Sequence, residues 1–200
     1  MIHRHQTRSI ELPDQEDYTI AVISDTHGRP HGNLFPVLDQ HGPSLTLHAG
    51  DVGNLELVKE LQACSQTVWV RGNVDSTGPE WPDSVALSIK LGRFAPLSIL
   101  LLHDAMLRLR LNKEALHLLS RTPARVVVFG HSHIPFIGKN GQACLFNPGS
   151  AGPPRMGLPT TMGFIEISSG RLSFRHHDLK TGKEWYPGNH SSGEKQMKSP

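Results

Sequence analysis

Five short apolar runs end in residues able to hold a metal ion. Residues 18–24 (YTIAVIS) lead into Asp25-Thr26-His27-Gly28, and residues 44–48 (SLTLH) into Ala49-Gly50-Asp51. Residues 67–70 (TVWV) lead into Arg71-Gly72-Asn73-Val74-Asp75, SILLL into His103-Asp104, and residues 125–129 (RVVVF) into Gly130-His131-Ser132-His133. In extended chain, residues i and i+2 share a face, so Asp25 with His27, and His131 with His133, form natural pairs. The candidates are Asp25, His27, Asp51, Asn73, His103, His131 and His133, which supply four imidazoles, two carboxylates and one amide oxygen. One tetrahedral zinc needs fewer donors, and calcium sites hold little imidazole. Seven mixed nitrogen and oxygen donors suit two first-row divalent cations that share a carboxylate and leave room for water. Manganese is the first choice; iron, nickel, cobalt and zinc tolerate the same donors. Taken singly, each residue has a plainer role: Asp25 as a turn cap, His103 as a hydrogen-bonded core histidine, Asn73 as a turn residue. Their recurrence at five strand ends favours the metal.

The elements that must position these groups are short. Residues 18–24, 44–48, 67–70, 85–91, 94–102 and 125–129 are rich in β-branched and aliphatic residues and read as strands. Several are apolar at nearly every position, as in strands covered on both faces. Helical spacing appears over 55–63, over 113–120 behind the cap Asn112, and more weakly over 33–40, where Pro36 suits only a first turn. After Gly130 the pattern turns to strands at 144–146, 162–167 and 172–176. This predicts an α/β (α+β) chain of two packed sheets with helices outside. In open α/β sheets, functional groups gather beyond the carboxyl ends of the strands.

The ordered set Asp25-x-His27, Gly50-Asp51, Gly72-Asn73-x-Asp75, a lone His103 and Gly130-His131-x-His133 resembles the calcineurin-like metallophosphoesterase family. Asn147-Pro148-Gly149-Ser150 resembles the signature of its small phosphodiesterase subgroup, and the likeness spans roughly residues 19–175. The resemblance implies a four-layer αββα sandwich of two mixed sheets flanked by helices. It also implies that Asp25, His27 and His133 hold one metal, that Asn73, His103 and His131 hold the other, and that Asp51 bridges both. The implied activity is that of a binuclear phosphoesterase, a phosphodiesterase first. A hydroxide shared by the ions attacks phosphorus in line with the leaving oxygen, and Asp51, Asn73 and His103 are the implied catalytic ligands.

The chain departs from that pattern twice. Many relatives carry histidine directly after the motif asparagine, where this chain has Val74, which can neither give nor take a proton. A positioned acid contributes about 10²–10⁴-fold, so diesters with good leaving groups are expected to outrun monoesters with poor ones. Relatives also often read His-Gly-His where this chain reads His103-Asp104, which changes the surroundings of that ligand. Asp75 is expected to brace the loop or a ligating imidazole. Arg155 is a candidate donor to a substrate phosphate, weighed evenly against a surface arginine. The same fold also serves as a protein-binding scaffold in the retromer complex, with an impaired metal site; every ligand position is intact here, which favours the enzyme.

Composition narrows the partners. Lys plus Arg number 20 against 18 for Asp plus Glu, so a net charge of +2 supplies no field for nucleic acid or anionic membrane. No apolar run approaches the ~20 residues of a spanning helix, and the amino terminus has no apolar signal segment. The expected partner is a small phosphoester in the cytoplasm, with self-association left open. Residues 1–17 read as a loose extension, 18–187 as one domain and 188–200 as a disordered tail. The two cysteines, Cys64 and Cys144, read as small buried hydrophobes of a reducing compartment.

Overall fold

In the computed structural model, which describes residues 4–186 apart from 109 and 156, side chains sort by parity along each strand. The elements in chain order are β1 (His5–Leu12), β2 (Asp17–Ile23), α1 (Leu34–His41), β3 (Leu45–His48), α2 (Leu55–Cys64), β4 (Thr67–Trp69), β5 (Ser84–Leu91) and β6 (Phe94–Leu102). They continue with β7 (Met106–Leu107), β8 (Arg110–Leu111), α3 (Lys113–Arg121), β9 (Val126–Val128), β10 (Phe136–Asn140), β11 (Ala143–Asn147), β12 (Thr161–Ser168), β13 (Arg171–Asp178) and β14 (Lys183–Trp185). One six-stranded sheet runs β1-β5-β6-β9-β11-β10 and the other runs β14-β13-β12-β2-β3-β4. Both are mixed: β1 is parallel to β5, β6 to β9 and β9 to β11, while β2, β3 and β4 are mutually parallel.

Three apolar layers hold these sheets. Tyr18, Ile20 and Val22 of β2 face Leu97, Ile99 and Leu101 of β6 in a core between the sheets, which Val126 and Val128 of β9 also enter. Ala21 and Ile23 point to the other face, where α1 and α2 cover them with Leu34, Leu38, Leu57 and Leu61. Leu100, Leu102 and Val127 point outward from the first sheet onto Ala115 and Leu118 of α3. The four layers expected from sequence are therefore present, and the central strands are apolar throughout because both of their faces are covered. Full burial of a Leu, Ile or Val side chain is worth about 1.5–3 kcal/mol. Helices α2 and α3 start at side-chain caps: Asn54 Oδ1 accepts Leu57 N–H at 2.9 Å and Asn112 Oδ1 accepts Ala115 N–H at 2.8 Å. No described helix is long and apolar enough to cross a membrane.

Three expectations need correction. Residues 5–12, read as part of a loose extension, form β1, which pairs in parallel with β5 over eight positions. Only Ile10 and Leu12 of this edge strand are buried, so its apolar pattern is too short to register in sequence. Cys64 is exposed at the end of α2, and Cys144 is half-buried against the central core. His176 and His177 are neighbours in β13, where strand alternation turns one of two successive side chains to solvent, yet both are buried. His176 lies between Phe146 and Trp185, and His177 packs against Phe164 and His41. The tail at 188–200 lies outside the described residues.

Candidate metal centre

Strands β2, β3, β4, β6 and β9 deliver their carboxyl ends to one edge of the sandwich. The loops that follow are laced by their backbones: Asp25 N–H donates to Gly50 C=O (3.0 Å), His27 N–H to Asp51 C=O (2.8 Å) and Gly130 N–H to His103 C=O (3.0 Å). Asp25, His27, Asp51, His131 and His133 all adopt left-handed backbone, with φ of 56°, 50°, 51°, 68° and 60°. Each such residue costs about 1–3 kcal/mol, and strain of this kind persists only where the surroundings impose it. Two glycines explain how the loops come so close. Gly50 has φ 89°, and a Cβ there would sit 2.6 Å from His103 Nδ1. A Cβ on Gly72 would collide with the Asp51 backbone nitrogen and carboxylate.

The donor atoms converge in two groups that share one residue. Asp25, His27 and His133 form one and Asp25, Asp51 and His103 the other, with ligand atoms within 4.8 Å of one another in each. His133 Nε2 lies 3.2 Å from Asp25 Oδ1 and 3.5 Å from His27 Nε2. Asp51 Oδ2 sits between two rings, 3.8 Å from His27 Nε2 and 3.5 Å from His103 Nε2. His131 stacks edge-on against His103 at 5.2 Å, and its backbone N–H donates to Asp25 Oδ2 at 3.1 Å. Asn73 lines the same cleft as His103. Six of the expected donors thus meet through direct contacts, and Asn73 borders them. Arg155 is exposed, its carbonyl accepting Leu158 N–H at 3.1 Å, and the structure does not bring it among the converging groups.

Protonation states follow from the surroundings. His103 Nδ1 donates to Ala49 C=O at 2.7 Å, which fixes the tautomer and turns the Nε2 lone pair toward the carboxylates. His103 Nε2 and Asp25 Oδ1 are buried without a hydrogen-bond partner, as are metal-ligand atoms awaiting a cation. Burial alone raises the Asp25 carboxyl, but the adjoining His133 and His103 rings and the Ser24 hydroxyl outweigh it and hold it below the usual range. Asp51 behaves likewise: burial is overridden by His103, the Val74 N–H and His27, and its carboxyl lies far below the usual range. For His103, burial opposes the charge, yet Asp51 and Asp25 raise its pKa above the ordinary value. The donor set is thus carboxylates and imidazoles crowded with lone pairs inward, and it fits divalent cations.

A ring of braces surrounds the donors. Asp75 accepts from Val52 N–H (3.0 Å), Gly53 N–H (2.6 Å) and Gly72 N–H (2.7 Å), so it ties the Asp51 loop to the Asn73 loop rather than holding an imidazole. Asn147 Nδ2 donates to Gly130 C=O (2.8 Å) and its Oδ1 accepts Gly149 N–H (2.9 Å), while Ser150 Oγ donates to Asp25 C=O (3.0 Å). Sequence reasoning missed Thr26; His48, which its place just before the Gly50-Asp51 turn sets near the site, is buried behind the donors. Thr26 Oγ1 donates to Val52 C=O at 3.0 Å, so His48 Nε2–H donates to Thr26 Oγ1 at 2.8 Å. Burial pushes the His48 ring down to about 4, and it is neutral. The one available signal was its place three residues before Asp51.

Two sheets with candidate metal-ligand groups at one edge agree with the class that the family comparison shows. The chain belongs to the calcineurin-like phosphoesterase superfamily, whose domain matches residues 18–170. A probable metallophosphoesterase of Mycoplasma genitalium is 31% identical over 140 residues, covering 68% of this chain and 78% of that protein. The phosphodiesterase YfcE of Escherichia coli is 29% identical over 130 residues, covering 63% of this chain and 66% of that protein. Among solved structures, vacuolar protein sorting 29 from Cryptosporidium parvum shares the fold with a TM-score of 0.69 at 19% identity, covering 85% of this chain and 95% of that one.

Proposed function

We propose that the protein is a two-metal phosphodiesterase, with manganese as the first-choice ion. One observation carries this reading: Asp51 Oδ2 sits between His27 of one donor group and His103 of the other, among buried ligand atoms without a hydrogen-bond partner. Asp25, His27 and His133 would hold one ion, Asn73, His103 and His131 the other, and Asp51 both. When bound, such ions supply an activated water and neutralise charge on the phosphoryl oxygens. The chain's own groups set the stage. The Ala49 carbonyl holds His103 in the ligand tautomer, and Asp75 fixes the separation of the Asp51 and Asn73 loops. Val74, 55% exposed at the site, offers no proton to a departing alkoxide, which favours diesters with stable leaving groups.

The likeness to vacuolar protein sorting 29 supports a second reading, a protein-binding scaffold on the same fold. The intact donor set weighs against it. Protein loaded with manganese and assayed by elemental analysis should carry two ions per chain and hydrolyse bis(p-nitrophenyl) phosphate. Fewer than one ion per chain, together with no turnover in any of manganese, iron, nickel, cobalt or zinc, would favour the scaffold.

A further inference from the structure

Beside His103 and Asn73 opens a cleft of about 220 Å³ whose wall is more acidic than phosphate chemistry calls for. His103, 5% exposed, borders this space with its Nε2 unpartnered. The wall carries one guanidinium, from Arg71, against three carboxylates, from Asp83, Asp104 and Glu114. The guanidinium is already engaged, since Arg71 Nη1 donates to Asp83 Oδ1 at 3.2 Å. Asp104 follows His103 directly and is exposed; its backbone carbonyl accepts Asn112 Nδ2–H at 3.1 Å, which leaves the carboxylate out of that contact. Glu114 stands in the first turn of α3.

A phosphoryl group at the donor cluster must therefore place one of its ester arms along a negatively charged wall. A dianionic monoester is repelled there, a monoanionic diester less so, and an arm bearing a cation is attracted. We propose that Asp104 makes the site select phosphodiesters in which one arm carries a positive charge, that is, esters of an amino alcohol. This rests on the phosphoesterase reading and names its substrate class. Asp104 acts as a specificity residue; it touches the ester arm and takes no part in bond breaking.

The test compares two esters with the same leaving group, p-nitrophenyl phosphorylcholine and ethyl p-nitrophenyl phosphate, on manganese-loaded protein at low ionic strength. The cationic ester should be preferred about tenfold in kcat/KM, and the preference should shrink in 0.5 M salt. Asp104→Asn should reduce the preference to about twofold, by slowing the cationic ester, with metal per chain unchanged. Calorimetric binding of phosphocholine against methyl phosphate gives a readout free of turnover and should show the same tenfold preference, lost in Asp104→Asn. Equal rates for the two esters in the parent protein, or a preference untouched by Asp104→Asn, overturns the assignment even if hydrolysis itself is vigorous. Binding preference without any hydrolysis would sustain it while sinking the enzyme reading; neither would sink both. Turnover of glycerophosphocholine but not of phosphatidylcholine vesicles assigns the free ester as substrate, and the reverse assigns a lipid headgroup.

Discussion

Val74 is the residue at which substrate choice and proton transfer meet. Its backbone N–H donates to Asp51 Oδ1 at 3.0 Å, so any side chain at this position keeps that bond and changes only what faces the cleft. Val74→His should therefore raise turnover of alkyl phosphomonoesters by about tenfold or more, with little change for bis(p-nitrophenyl) phosphate, whose leaving group needs no proton. A monoester rate that stays flat across pH 6–9 would remove the general-acid explanation for diester preference. Asp51 sits between two rings, and its loss should be felt at both proposed ions. Asp51→Asn is expected to cut kcat by about 10³-fold and to lower metal content below that of His133→Ala, which should lose one ion per chain. Full metal content in either variant would break the ligand map.

At the scale of loops and strands, the site depends on backbone held in costly conformations, and Asp75 does much of the holding. It accepts three backbone N–H groups from two loops, each bond to a charged acceptor being worth about 1.5–3 kcal/mol. Asp75→Ala should lower unfolding free energy by about 3 kcal/mol and weaken metal binding at Asn73 and Asp51, seen as a rightward shift in a metal titration. An unchanged titration with lowered stability would make Asp75 a purely structural brace. This element was partly legible beforehand: Asp75 stood in a motif, and the strands declared themselves through apolar runs whose two faces both needed cover. What stayed hidden is instructive. Edge strand β1 buries only Ile10 and Leu12, so nothing in its composition separates it from a polar extension. The left-handed turns at Asp25, His27, Asp51, His131 and His133 could not be read from residue type: Asp and His enter that region more readily than most residues, but only the folded loops impose it here. The position of His48 placed it near the site, but its partner Thr26 comes from another strand end and could not be read.

The molecule as a whole carries several histidines that folding keeps neutral, and this makes acid its weak side. His48 is pushed down to about 4 by burial, which outweighs the charges of Asp75 and Asp25. His176 is lowered by burial despite its 2.7 Å bond to the Asn147 carbonyl. His177 is lowered by burial first and then by His41 and Arg175, and His41 by burial and then Arg175. Their folded pKa values lie below the ordinary 6.5, so on acidification the unfolded chain takes up protons that the folded chain refuses. Stability is then complete above about pH 6.5 and falls as pH drops through the window down to about 4. His48 alone contributes roughly 3 kcal/mol across that window. His103 runs the other way, its raised pKa giving stability that is present below 6.5 and lost as pH rises. Asp25 and Asp51, with lowered pKa values, begin to lose theirs only below the ordinary 3.8, so neither offsets the loss between pH 6.5 and 4. Urea unfolding of the metal-free protein at pH 7, 6 and 5 should show the unfolding free energy falling by about 2 kcal/mol or more. His176→Gln, which keeps a donor for the Asn147 carbonyl but cannot take a proton, should flatten that slope. A parent slope of zero, or a steeper one in the variant, would mean that these rings titrate in the fold as they do in water.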